Sequence, residues 1–271
     1  MEKRHINIPI FIPHLGCPND CVFCNQRKIS GKNEFVFSNA KEELETAFST
    51  VDTEKCDVEI AFFGGSFTGL ERSLMLKLLD LANEYVTNGK ANSIRLSTRP
   101  DYISEEILNI LAKYPVKTIE LGIQSTNEMT LADCKRGHTF EDTKKAVELV
   151  VSHGFELVGQ MMIGLPSSTI QSEIKTAEFI CKSGAVAARI YPTVVFRGTE
   201  LEEMAKQGEY SPISVEEAIS RSAKVYEVFI QYGIPVIRVG LHASESLTSD
   251  EDVYAGANHP ALGEMVMSRI Y

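Results

Sequence analysis

Tryptophan is missing from the 271 residues, an absence that decides nothing about the fold. Three other shortages are more informative. Cysteine is scarce: six in a chain this long are too few for a disulfide scaffold. Long apolar runs are missing too. Ile6 to Ile12 is short, broken by Pro9 and followed by Pro13, and no run approaches the ~18 apolar residues that span a bilayer. No signal peptide opens the chain, no membrane partner is expected, and a reducing cytoplasm is the expected compartment. Positive charge is the third shortage. Lysine plus arginine total 27 against 37 aspartates and glutamates, a net charge of −10. The overall field does not attract phosphate backbones, so nucleic-acid binding would need a local basic patch.

What the chain has is a 44% apolar composition and a repeated alternation of β-branched runs with amphipathic stretches. Strands are predicted over 6–12, 58–63, 93–97, 116–121, 155–163 and 186–191, with one more candidate over 234–239. Helices are predicted over 40–50, 72–85, 142–152, 172–182 and 215–232, and Ser104 is read as the cap of another that carries Ile107, Leu108 and Leu111. Six β/α units in series imply a parallel sheet, an α/β partial (β/α)6 TIM-like barrel. In such barrels the site lies at the carboxyl ends of the strands. The unusual residues fall at those ends: the cysteines 17–24, Gly64 to Ser66, Thr98 to Asp101, Gln124, Met162 to Pro166 and Tyr191 to Thr193.

His14-Leu15-Gly16-Cys17-Pro18-Asn19-Asp20-Cys21-Val22-Phe23-Cys24 puts three thiols within eight residues. An iron–sulfur cube normally takes four cysteines, so three leave one iron open to a ligand. S-adenosylmethionine (SAM) suits that iron, because its amino and carboxylate groups chelate. The competing reading is a non-catalytic accessory protein that holds either an iron–sulfur cluster or a Cys3His zinc with His14 as the fourth ligand. Cys56, Cys134 and Cys181 follow no ligand spacing and read as small buried residues.

On these residues the sequence resembles the radical SAM superfamily, whose hallmark is three cysteines spaced x3 and x2 with an aromatic before the third. The resemblance implies a 4Fe–4S cluster on Cys17, Cys21 and Cys24, reductive cleavage of SAM to a 5′-deoxyadenosyl radical, and an electron donor of the flavodoxin or ferredoxin type. Phe23 fills the aromatic place, beside the adenine in that family. Phe63-Gly64-Gly65-Ser66-Phe67, Ser97-Thr98-Arg99-Pro100-Asp101, Glu120-Leu121-Gly122-Ile123-Gln124-Ser125, Arg136-Gly137-His138-Thr139, Met162-Ile163-Gly164-Leu165-Pro166 and Arg189-Ile190-Tyr191-Pro192-Thr193 look like the motifs of the elongator catalytic subunit's radical SAM domain, in its order. That branch modifies tRNA uridine, which makes a tRNA base one candidate substrate. Oxygen-independent coproporphyrinogen oxidases are a more distant match.

The resemblance implies that Gly64, Gly65 and Ser66 bind the SAM amino group. It implies that Gln124 and Arg136 hold SAM, with Arg136 on its carboxylate, and that Gln160 touches the ribose. Ser97 stands where an acidic residue is usual, so ribose contacts are expected to differ. Arg99 and Tyr191 are placed on the rim, facing SAM or substrate, and His138 is read as structural. Two further departures are a short spacer between the first two cysteines and the absence of the acetyltransferase domain and of the basic segment that precede or follow this region in elongator enzymes. Residues 1–240 are read as the barrel and 241–271 as a C-terminal extension whose helix stops abruptly, with Met265 and Met267 as packing residues.

Overall fold

The computed structural model describes residues 3–17, 21–25, 35–241 and 252–271. In chain order the larger elements begin β1 (Arg4–Ile12), α1 (Phe37–Thr50), β2 (Cys56–Gly64), α2 (Arg72–Thr87), β3 (Ser93–Thr98), α3 (Glu105–Leu111) and β4 (Val116–Gln124). They continue α4 (Glu128–Asp133), α5 (Phe140–Ser152), β5 (Glu156–Ile163), α6 (Ile170–Lys182), β6 (Ala187–Pro192), β7 (Val194–Phe196) and α7 (Glu200–Lys206). The last are α8 (Val215–Gln231), β8 (Val236–Val239), β9 (Val253–Gly256) and α9 (Leu262–Ile270).

β1 to β6 follow one another in a parallel sheet, and β8 adds a seventh strand beside β6. The sheet is an open half-barrel of seven strands. The candidate strand over 234–239 is therefore real, and the alternation of periods identified the architecture. β7 and β9 form a small antiparallel ribbon that the sequence did not reveal.

Each central strand has two unlike faces, as the two-residue strand period allows. Ile8, Ile10 and Ile12 of β1, Val58, Ile60 and Phe62 of β2, Ile94 and Leu96 of β3, and Ile119, Leu121 and Ile123 of β4 point outward into one apolar core with the helices. Gly159 of β5 is on that face, where an added methyl would come within 2.6 Å of Ile180 on α6. Several intervening positions, Glu59, Arg95, Ser97, Glu120 and Gln160 among them, carry polar or charged side chains to the concave side, beside apolar ones such as Phe63.

The helices begin where their sequences supply caps. Ser104 accepts from the Ile107 amide at 3.3 Å, and Thr139 and Asp142 close a reciprocal capping box at the start of α5. α9 packs on α8 through Leu262 and Val266 against Ile219 and Ala223. Among the described residues no helix is long and apolar enough to cross a membrane.

Candidate functional site

The cysteine loop leaves β1 and lies directly on the end of β2. The Gly65 amide donates to the Ile12 carbonyl at 2.8 Å. A methyl on Gly65 would overlap the Leu15 carbonyl oxygen, and methyls on Gly16 and Gly69 would overlap backbone oxygens of Ser66 and Gly16. Gly64 has φ of 110°, and a methyl there would meet the Ile12 oxygen at 2.7 Å. The paired glycines let two backbones touch, so their first role is to seat the loop.

Further along, the loop is stitched at Val22. Its amide donates to the Cys134 carbonyl at 3.3 Å, and its carbonyl accepts from Leu201 at 2.8 Å. Val22 is fully buried with Cys134, Leu165, Leu201 and Tyr210, and Phe23 packs against the same cluster. Burial pushes the Cys134 thiol up to about 12, so it stays protonated, as a packing residue should.

Cys21 is buried, while Cys17 and Cys24 are half-buried. No disulfide engages any of the six cysteines. The Cys24 amide donates to the Cys21 carbonyl at 2.9 Å, which closes a tight turn between the two thiols. Burial pushes the Cys17 thiol up, against the pull of a hydrogen bond from the Ser66 backbone and the charge of Arg99. The three thiols share one loop. Among the described residues no three His, Cys, Asp or Glu side chains converge as a metal-holding group, so neither the three thiols nor the Cys3His set with His14 is drawn into one coordination sphere. The donor set fits a 4Fe–4S cluster in chemistry: three thiols on one seated loop, with two guanidinium cations beside the Cys21 sulfur.

Those cations are Arg136 and Arg99. Arg136 Nη1 reaches Cys21 Sγ at 3.2 Å and its Nη2 donates to the Gly122 carbonyl at 2.7 Å. Arg99 Nη1 lies 3.8 Å from the same sulfur. Arg99 clamps Asp101 through Nε and Nη2, both at 2.9 Å, and Nη2 also donates to the Arg136 carbonyl. Burial pulls the Arg99 pKa down, but Asp101 and the two nearby thiols more than offset it. His138, beside this clamp, has both ring nitrogens buried without a hydrogen-bond partner among the described residues. Burial and the neighbouring Arg136 push its pKa down to about 4, so it is neutral near pH 7.

Two other motif residues carry marks of a binding site. Gln124 has φ of 63° at the end of β4, where the ladder to β5 shifts register. A left-handed non-glycine residue at a strand end stores strain. Its Oε1 is buried with no partner among the described residues, an acceptor with nothing yet to accept. Ser66 shares a 2.7 Å hydrogen bond with Thr98, whose hydroxyl is also 2.6 Å from Thr68.

The sequence reasoning missed the charged lining of the half-barrel. Glu120 on β4 is fully buried. It accepts from Arg95 Nη1 at 2.9 Å, from Arg189 Nε at 2.8 Å and Nη2 at 3.0 Å, and from Gln160 Nε2 at 2.8 Å. Arg95 also bonds Glu59 through Nε at 2.8 Å. Gln160 reaches Ser97 Oγ at 3.3 Å, so both residues of the expected ribose edge are joined to this network. Arg189 stacks over Phe63, 5.6 Å from the ring centroid, and hydrogen-bonds Tyr191, whose phenol burial pushes up. Burial pushes the Glu120 carboxyl up, yet Arg189 and Arg95 hold it below the usual carboxylate range. The available signal was a charged residue between apolar neighbours in each of four strands: Glu59 between Val58 and Ile60, Arg95 between Ile94 and Leu96, Glu120 between Ile119 and Leu121, and Arg189 between Ala188 and Ile190.

A model of the radical SAM superfamily matches residues 11–180, and a model of the radical SAM C-terminal domain matches residues 186–271. The chain is similar to a tRNA uridine(34) acetyltransferase of Methanocaldococcus infernus, 35% identical over 182 residues, covering 60% of this chain and 34% of that protein. It is also similar to an uncharacterized protein of Methanocaldococcus jannaschii, 30% identical over 230 residues, covering 81% of this chain and 70% of the relative. The chain thus spans about a third of the acetyltransferase's length. The structure of the Methanocaldococcus infernus Elp3 with an N-terminal deletion superposes with a TM-score of 0.74 at 24% identity, covering 100% of this chain and 63% of that one. That likeness speaks to the fold.

Proposed function

This chain belongs to the radical SAM superfamily of enzymes, and we propose that it cleaves SAM reductively at a 4Fe–4S cluster held by Cys17, Cys21 and Cys24, directing the resulting 5′-deoxyadenosyl radical at a substrate on the carboxyl rim of the sheet. One observation carries the reading. Arg136, 115 residues from Cys21, brings its guanidinium to within 3.2 Å of that sulfur. The cysteine loop and a distant motif in the loop between α4 and α5 thus meet at one point.

A cluster held by Cys17, Cys21 and Cys24 would supply one electron to SAM and would be refilled by a donor of the flavodoxin or ferredoxin class. The chain's own residues seat and orient. Gly64, Gly65 and Ser66 hold the loop against β2 and offer the backbone to the SAM amino group. Arg136 has an Nε without a partner among the described residues, a donor left for the SAM carboxylate. Gln124 offers its buried Oε1 as an acceptor. Gln160 and Ser97 would face the ribose, Phe23 the adenine, and Tyr191 SAM or the substrate. The apolar cluster under Val22 excludes water from one side of the loop.

A tRNA base is the substrate class we take forward, on the strength of the relative named tRNA uridine(34) acetyltransferase. With a net charge of −10, binding would rest on a local patch and weaken steeply with salt, which a filter-binding titration reads.

The test of the chemistry is anaerobic. Reconstituted protein given SAM and dithionite should release 5′-deoxyadenosine and hold about four irons per chain. One zinc with no iron, or no product above a Cys17/Cys21/Cys24 triple-alanine variant, overturns the proposal.

A further inference from the structure

Two arginines from different motifs face one sulfur, but they are held differently. Arg136 touches Cys21 Sγ and the Gly122 carbonyl, and keeps its Nε uncommitted among the described residues. Arg99 has one nitrogen to spare. Its Nε and Nη2 are locked on the two Asp101 oxygens, and Nη2 also closes on the Arg136 carbonyl. Nη1 is the nitrogen left to face the sulfur, at 3.8 Å. The residue is 4% exposed, so water does little to screen its charge. Arg99 caps the short turn Pro100–Tyr102, which brings Asp101 back beneath the guanidinium.

Reducing an iron–sulfur cluster adds negative charge to its sulfurs. A fixed cation and an N–H donor at a ligand sulfur stabilise the reduced form more than the oxidised one. We propose that Arg99, clamped by Asp101, is a positioning residue that raises the reduction potential of a cluster on Cys21, easing electron entry. The inference rests on the reading of Cys21 as a cluster ligand. It goes beyond it by giving Arg99 to the cluster rather than to SAM or substrate. A purely structural Arg99 would close the Arg136 turn and leave the potential where it was.

The experiment uses the full chain, reconstituted anaerobically without substrate. Midpoint potentials come from redox titration followed by electron paramagnetic resonance, with iron measured on every sample. Wild type that holds no iron sinks the cluster reading, and the inference falls with it. Given a wild-type cluster, Arg99→Gln should move the reduction equilibrium roughly tenfold toward the oxidised form, about 59 mV lower for a one-electron couple. Arg99→Lys keeps the charge without the fork and should recover part of the shift. Arg99→Met removes the charge and every N–H together and should shift the potential at least as far as Arg99→Gln. An unchanged potential in whichever variants retain iron overturns the inference while leaving the cluster reading intact. Loss of iron from all three, the lysine variant included, assigns Arg99 a structural role and overturns it equally.

Discussion

Gly65 and Leu15 are in backbone contact: the α-carbon of one sits so close to the carbonyl of the other that no side chain fits between. Gly65 does not have a positive φ, so the requirement is steric. Gly65→Ala should therefore lift the cysteine loop off β2. Overpacking of this kind destabilises by about 1–3 kcal/mol. Iron retained after desalting should fall well below wild type, while far-ultraviolet circular dichroism stays that of an α/β protein. Full iron in Gly65→Ala would show that the loop seats itself by other contacts.

The six cysteines should separate into two groups. Alanine at Cys17, Cys21 or Cys24 should abolish 5′-deoxyadenosine formation. Alanine at Cys56 or Cys181, packing residues in the apolar core, should lower stability and leave iron content near wild type. A 5′-deoxyadenosine assay, iron analysis and denaturant melts on the five single variants check both halves.

Removing the charge of Glu120 leaves Arg95 and Arg189 facing each other across a buried space. Breaking a buried pair by deleting one partner typically costs about 3–5 kcal/mol. Glu120→Ala should show a loss of that order in urea titration. Glu120→Gln, which keeps some of the hydrogen bonds, should lose less. Equal stability of all three proteins would mean that the arginines find other partners.

His138 predicts a pH dependence whose sign can be worked out. Its pKa is pushed down from 6.5 to about 4 in the folded chain, by burial first and Arg136 second, with Arg99 adding to the effect and Asp101 and Asp142 opposing it. Between those values the unfolded chain binds the proton and the folded chain does not. Stability from this group is complete above about pH 6.5 and is lost as pH falls toward 4. The full swing is on the order of 3 kcal/mol. His138→Met should flatten that part of the profile, read as urea midpoints from pH 7 to pH 4.5.

Gln124 sets strain against binding. Glycine adopts its left-handed conformation without penalty, which relieves about 1 kcal/mol or more. Gln124→Gly should unfold at a similar or higher urea concentration than wild type, although a buried side chain is lost. SAM affinity, measured by equilibrium dialysis of the cluster-loaded protein, should drop severalfold. Unchanged affinity would remove Gln124 from the binding set.

Much of this was legible beforehand, for physical reasons. Strands such as Ile94 with Leu96 and helices such as α2 repeat their apolar residues often enough for a period to show. α4 and α7 are six and seven residues long, and β7 and β9 three and four, too short to establish one. The thiols were legible through their spacing. The residue that anchors their loop was not, because Val22 matches no motif and acts only by meeting Cys134 and Leu201 across the fold. Arg99 was assigned to the rim, where its motif placed it. Its commitment to Asp101 and its approach to Cys21 are products of the turn geometry. Gln124 was singled out by its position at a strand end, yet nothing in a glutamine announces a left-handed backbone.

The two unlike faces of the strands also act as a register lock during folding. A parallel strand with interchangeable faces can slide by one residue and keep most of its hydrogen bonds. Here one such slip of β4 would turn Ile119 and Leu121 toward the charged hollow and drive Glu120 among the helix leucines, with no arginine to meet it. β3 would likewise trade Leu96 for Arg95. The ladder of Glu59, Arg95, Glu120 and Arg189 closes in only one alignment, so the wrong sheet is penalised strand by strand before any ligand arrives.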